Sequence, residues 1–368
     1  MAALLEQLLH DLLQRYRFLR EDLVSVSAGI TPEVLAYRDR LQARVERSVA
    51  AIEGLLADPD LSDPSFARNI FHIYKRLSEF AQAADEGPVL ALSRFAARDL
   101  FLTRLVAEMC REFGFPHIPP LCTAMSTQYY CTITGMDLLL LPHSEPDHLL
   151  GLPDIYHELG HIILFRDPTL LTHLRNRSQT HFQNELLRAQ REGWPANSTA
   201  ALEVYRNRWL GEWTIEFGCD LIATFVCGPA FGWANTRLCA RLSPDFYEIM
   251  MSHPADAART SAVRLMLQHL GFSSDAHQVD LQWEELQRTA MQQEPQEFHL
   301  AFPASLLQDL VQEVASFCLS AGIRSYTAAS MPIARLLNEA WTEFLSAPGS
   351  YRAWEVTRIT ALTVDLVN

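Results

Sequence analysis

Apolar residues recur every three to four positions through most of the chain, the period of an amphipathic helix. Leu4/Leu5, Leu8/Leu9, Leu12/Leu13 and Tyr16 predict a first helix. Thr31-Pro32-Glu33 reads as a helix start, with Thr as N-cap and Pro in the first position. Val34, Leu41, Val45, Val49, Ile52 and Leu56 carry the stripe onward until Asp58-Pro59-Asp60 and Ser62-Asp63-Pro64 break it. Two more helices are expected over about 65–84 and 88–113. The segment 114–120, GFPHIPP, ends the helical run, because its prolines lack the N–H that a helix needs. Two short runs of aromatic, β-branched and aliphatic residues follow, Tyr129–Thr134 and Met136–Leu141, and read as strands joined near Gly135. Helices return over 153–165, 169–192 and 200–227, and Gly228-Pro229 stops the last of them. From about 260 to 368 the pattern is again helical.

The expected fold class is therefore α+β and mostly α-helical, with a small β-sheet. Three parts suggest themselves: an N-terminal helical bundle over 1–115, a core over 116–270 and a C-terminal helical region over 271–368. The helical flanks read as self-packed, and a protein partner docking on them is the other reading.

Composition narrows the function. Thirty Lys and Arg against 44 Asp and Glu give a net charge of −14. That balance argues against a nucleic-acid partner held by phosphate neutralisation. With 49% hydrophobic and 20% charged residues the chain is ordinary globular material. No stretch reaches the ~20 uncharged apolar residues of a membrane span. The first helix carries acids within its apolar run, so it reads as mature protein and not as a secretory signal. Seven scattered cysteines with no CxxC pair suggest reduced thiols and a cytoplasmic location.

The chemistry concentrates in Asp154-Ile155-Tyr156-His157-Glu158-Leu159-Gly160-His161, which contains H-E-x-x-H. Residues four apart on a helix point the same way, so His157 and His161 can share one Zn²⁺, with Glu158 beside them as general base. The alternative is a pair of surface histidines with an ordinary acid between them. A catalytic zinc needs a third protein ligand and an open position. A histidine six residues after His161 is absent, since position 167 is Asp167. A glutamate on a later helix fits: Glu216 as ligand, with Asp220 four residues on to accept a ligand's second ring N–H. Two acids on one face of an otherwise apolar helix need partners if buried. Glu212 lies on the same face and is the rival ligand. His143, His148, His173 and His181 read as surface or capping residues, and Cys219 and Cys227 as small core residues.

H-E-x-x-H followed by E-x-x-x-D resembles the gluzincin metallopeptidases. Ser252-His253-Pro254-Ala255-Asp256-Ala257-Ala258-Arg259 is similar to the T-H-P-x-x-x-x-R-I stretch of heat-shock membrane proteases and CAAX prenyl-proteases. The resemblance implies a zincin-like core, a protein or peptide substrate, and a substrate- or oxyanion-holding role for His253 and Arg259. It covers about residues 125–265. It departs from that group in having no transmembrane helices and in Thr260 replacing the usual Ile. By the same likeness, Met136–Leu141 would be an edge strand to which an extended peptide adds. An ordinary core strand is the equal alternative.

LPDIYHELGHIILF and WTIEFG also resemble the iron-binding stretches of aromatic amino acid hydroxylases. There two histidines and a later glutamate form a facial triad around non-haem iron. Here the histidines are one residue closer together. A third reading is a helical interaction protein with a degenerate metal site, although such a protein would have no need of Glu158. The expectation taken forward is a zinc-dependent metallopeptidase with His157, His161 and Glu216 on the metal and Glu158, His253 and Arg259 in catalysis.

Overall fold

The computed structural model describes residues 2–26, 31–59, 64–127, 129–243 and 245–367. The break expected between Asp58 and Pro64 lies partly outside them. The N-terminal third folds as its stripes predict: α1 (Ala2–Ser25), α2 (Pro32–Ala57) and α3 (Pro64–Ala84). Leu9, Leu12, Tyr16 and Leu23 on α1 and Val34, Leu41, Val45 and Ile52 on α2 are buried, in one apolar cluster. A π-helical turn at Asp85–Val89, with Pro88 inside it, leads to the short α4 (Leu90–Ser93). Pro88 has no N–H to give the ladder, which accounts for the widened turn.

The helix α5 (Ala97–Phe113) stops at Gly114, whose φ of 76° is left-handed. Its buried face, including Phe101, Leu105, Met109 and Phe113, belongs to a second and larger cluster. The first cluster also takes in Leu121, Met136 and Leu138, while Leu139 and Leu141 belong to the second, so the two meet at the sheet.

The sheet has three strands, β1 (Leu121–Ser126), β2 (Cys131–Ile133) and β3 (Leu138–Pro142), in the order β1-β3-β2. β3 lies in the middle, parallel to β1 (Leu121 opposite Leu138) and antiparallel to β2 (Cys131 opposite Leu140). The strand read from Met136–Leu141 is therefore central, and β2 is an edge. Leu138, Leu139 and Leu141 are all fully buried, as both faces of a central strand require. β1, which begins directly after Pro120, was not expected from the pattern.

The remaining chain is helical: α6 (Asp154–Arg166), α7 (Pro168–Glu192), α8 (Ala196–Arg208), α9 (Thr214–Cys227), α10 (Pro229–Leu242), α11 (Asp256–His269) and α12 (Ser273–Thr289), then α13 (Phe298–Ala301), α14 (Ala304–Ser320), α15 (Pro332–Ser346) and α16 (Tyr351–Val367). The single helix expected over 200–227 is broken at Trp209–Trp213 by a π-helical turn in which Gly211 leaves helical geometry. Val263, Val279, Leu306, Leu337 and Trp341 bury into the same cluster as α6 and α9, so the helices beyond 270 share one core with the helices before it. Among the described residues no helix is long and apolar enough to cross a membrane.

Candidate metal centre

The geometry of the site begins with two packed helices. α6 and α9 approach closely because Gly160 faces Cys219: a Cβ at Gly160 would lie 2.9 Å from the Cys219 Cα. Larger residues there would hold the backbones apart, and with them the histidines of α6 and the acids of α9. α9 is buried along nearly its whole length, which explains its apolar sequence and makes its two acids conspicuous.

His157 and His161 point to one side of α6, their ring centroids 4.9 Å apart. Glu216 reaches across from α9 and is buried at 7% exposure. Its Oε2 lies 3.5 Å from His157 Nε2 and its Oε1 3.7 Å from His161 Nε2. Glu212 also lines the cleft, but exposed at its mouth. The two histidines and Glu216 are thus brought together, with the Nε2 atom of each ring facing the carboxylate.

Asp220 lies against the far side of the His157 ring. Its Oδ1 lies 2.9 Å from His157 Nδ1, so the ring donates there and leaves Nε2 to the cleft. Arg259 is turned onto Asp220. It donates from Nε to Asp220 Oδ2 and from Nη2 to Oδ1, both at 2.7 Å, and is itself nearly buried. Its guanidinium is committed to Asp220, so it buttresses a ligand's partner and does not reach toward a substrate. Asp220 lies at the bottom of an apolar helix, and only a bidentate partner of opposite charge offsets the cost of burying it. His253 is half exposed on the rim, with Nδ1 3.0 Å from Ser252 Oγ and Nε2 4.0 Å from Glu216 Oε2.

Glu158 opens into the same cleft. Thr132 on β2 donates its hydroxyl to Glu158 Oε2 at 2.7 Å. Nothing in the residue pattern singled out Thr132, because it is contributed by the fold and not by a motif. The cleft has a volume of about 450 Å³, and Leu164, Phe165, Leu171 and Ile215 supply its apolar wall.

The charges are strongly coupled. Burial disfavours a charged His157, but hydrogen bonds to Asp220 and Glu216 outweigh it and push the pKa up to about 10. Burial alone would raise Glu216; the His157 hydrogen bond and charge, with Arg259, bring it down to about 2. Asp220 is likewise buried yet held well below the usual carboxylate range by Arg259 and His157. His161 is lowered by burial and by the charge on His157. One turn earlier on α6, burial pushes Asp154 up to about 6 against the opposing hydrogen bond from Tyr129.

A second donor set shares the histidines. His157, His161 and Cys219 each place a ligand atom within 4.8 Å of the others, a possible metal-binding group. The cysteine was read from sequence as core. Burial holds its thiol well above the ordinary range, and a thiol ligates only once deprotonated. Glu216 is already anionic. Two other histidines have partners elsewhere: His148 faces Glu355 at 3.7 Å, and His181 packs edge-on against Phe182.

Two imidazoles and a carboxylate are the kinds of donor a zinc ion takes. Glu216 presents one oxygen to each histidine, at 3.5 and 3.7 Å. No family model, curated protein or solved structure matches the chain.

Proposed function

We propose that the chain is a zinc-dependent metallopeptidase with a zincin-like core. The observation that carries this reading is the meeting of His157 and His161 from α6 with Glu216 from α9, whose two oxygens lie 3.5 and 3.7 Å from the imidazole Nε2 atoms, with Glu158 in the same cleft. Glu216 is taken as the third ligand over Cys219 because it is already ionised at neutral pH.

A zinc ion held by these three residues would supply the Lewis acid that polarises a scissile carbonyl and acidifies a water molecule. The rest is the work of the chain. Asp220 fixes the His157 tautomer with Nε2 outward, and Arg259 holds Asp220 in place. Thr132 fixes one oxygen of Glu158 and so directs the other. Glu158 takes a proton from water and delivers it to the leaving amine. His253, on the rim, is placed to donate to the oxyanion that forms on the substrate carbonyl. The apolar wall of Leu164, Phe165, Leu171 and Ile215 receives a hydrophobic side chain of the peptide and excludes water.

Two measurements test this reading. Protein purified without added metal should contain close to one zinc per chain. Iron in its place, with oxygen consumption, would favour the hydroxylase reading and overturn this one. Turnover of a peptide library should be detectable with the zinc-loaded chain and absent from Glu158→Gln with zinc retained. No hydrolysis by the loaded parent would remove the peptidase assignment.

A further inference from the structure

On a chain with a net charge of −14, four arginines converge on one concavity away from the metal centre. Arg40, Arg44 and Arg47 stand at positions i, i+4 and i+7 of α2, one helical face. Arg166 joins them from the last turn of α6. The concavity has a volume of about 570 Å³, a size that suits a small ligand.

The acids present do not balance these cations. Asp137 is the single carboxylate in the lining, and Arg166 Nη2 already clamps it at 2.5 and 2.6 Å. Asp167, nearby, caps α7 through the Thr169 N–H. Among the described residues, Arg40 and Arg47 have no carboxylate partner. Arg40 meets only the Tyr37 ring, its guanidinium carbon 5.7 Å from the centroid. Arg44 is held in place by the Gly135 carbonyl at 2.6 Å and by the Phe80 ring at 4.6 Å. His117, also in the lining, has a buried Nε2 with no hydrogen-bond partner. Like charges packed together repel. A bound anion relieves that repulsion.

We propose that this basic pocket binds a phosphate-bearing group carrying two or more negative charges, either on a soluble metabolite or on a lipid headgroup. Arginine favours such a ligand, because its planar fork meets phosphate oxygens two at a time. Arg44 and Arg166 are fixed by their own contacts and frame the pocket. Arg40 and Arg47 are the uncommitted arms that close on the ligand. The proposal is independent of the metal centre, and its test reads binding, not turnover.

The test is calorimetric titration of the full chain with inorganic pyrophosphate at physiological ionic strength. Co-sedimentation with phosphatidylcholine vesicles, with and without phosphatidylinositol bisphosphate, runs beside it. The comparison is Arg40→Gln/Arg47→Gln, which removes no ion pair and should melt as the parent does. Saturable pyrophosphate binding, weakened at least about tenfold in the double variant, is the expected result for a soluble ligand. Retention on the phosphoinositide vesicles alone, lost in the variant, would assign the headgroup. Absence of binding in both arms would overturn the proposal, and so would binding that the double variant leaves unchanged.

Discussion

At the scale of single residues, the site separates groups that carry charge from groups that hold other groups still. Glu158 has room to exchange a proton and one fixed oxygen, so its loss should affect the reaction and spare the metal. Glu158→Gln is expected to retain zinc and lose about 10²–10⁴ in kcat, the usual span for a general base. His161→Ala is expected to lose zinc as well; metal analysis beside the rate distinguishes the two. Glu216 and Cys219 compete for the third position. Glu216→Ala should release the metal, whereas Cys219→Ala should keep it, since the thiol is buried against Gly160 and protonated. Zinc retained by Glu216→Ala and lost by Cys219→Ala would transfer the ligand role to sulfur.

At the scale of elements, precision depends on how closely α6 and α9 pack. Gly160→Ala adds one methyl at 2.9 Å from the Cys219 Cα, against backbone that cannot swing aside. Alanine is the better helix former by about 1 kcal/mol, but overpacking of this kind costs about 1–3 kcal/mol. The expected outcome is a lower melting temperature together with weaker zinc affinity, because separating the helices pulls Glu216 from the histidines. Unchanged zinc affinity would show that the contact does not set the site. The same elements show what was legible in the sequence. The helical stripes, the H-E-x-x-H turn and the E-x-x-x-D turn depend on periodicity within about ten residues, and the structure puts them on helices as read. Features set by distant partners were not legible. Nothing local says that Leu138–Leu141 pairs on both sides, that Thr132 reaches Glu158, or that Arg259 spends its guanidinium on Asp220. Nor does anything local say that the arginines of α2 share a pocket with Arg166 of α6.

At the scale of the whole molecule, the charged centre couples stability to pH. In the metal-free chain the folded pKa of His157 is raised, to about 10, above an unfolded value of about 6.5. Folding then takes up a proton, so His157 contributes stability that is complete below about pH 6.5 and is lost as pH rises through 10. Glu216 has the opposite sign: its folded pKa of about 2 lies below the unfolded carboxylate, so its contribution holds above about pH 4.5 and disappears as pH falls toward 2. The metal-free chain should therefore melt highest between about pH 4.5 and 6.5, with its melting temperature declining toward pH 10. On the proposed reading zinc would take the place of the proton on His157 Nε2, so a saturated chain would take up no proton there on folding and should lose the alkaline slope. Calorimetric scans across pH 5–10, with zinc and with chelator, separate the two cases. Parallel slopes would mean that the ion does not displace the His157 proton, and that its donors lie elsewhere.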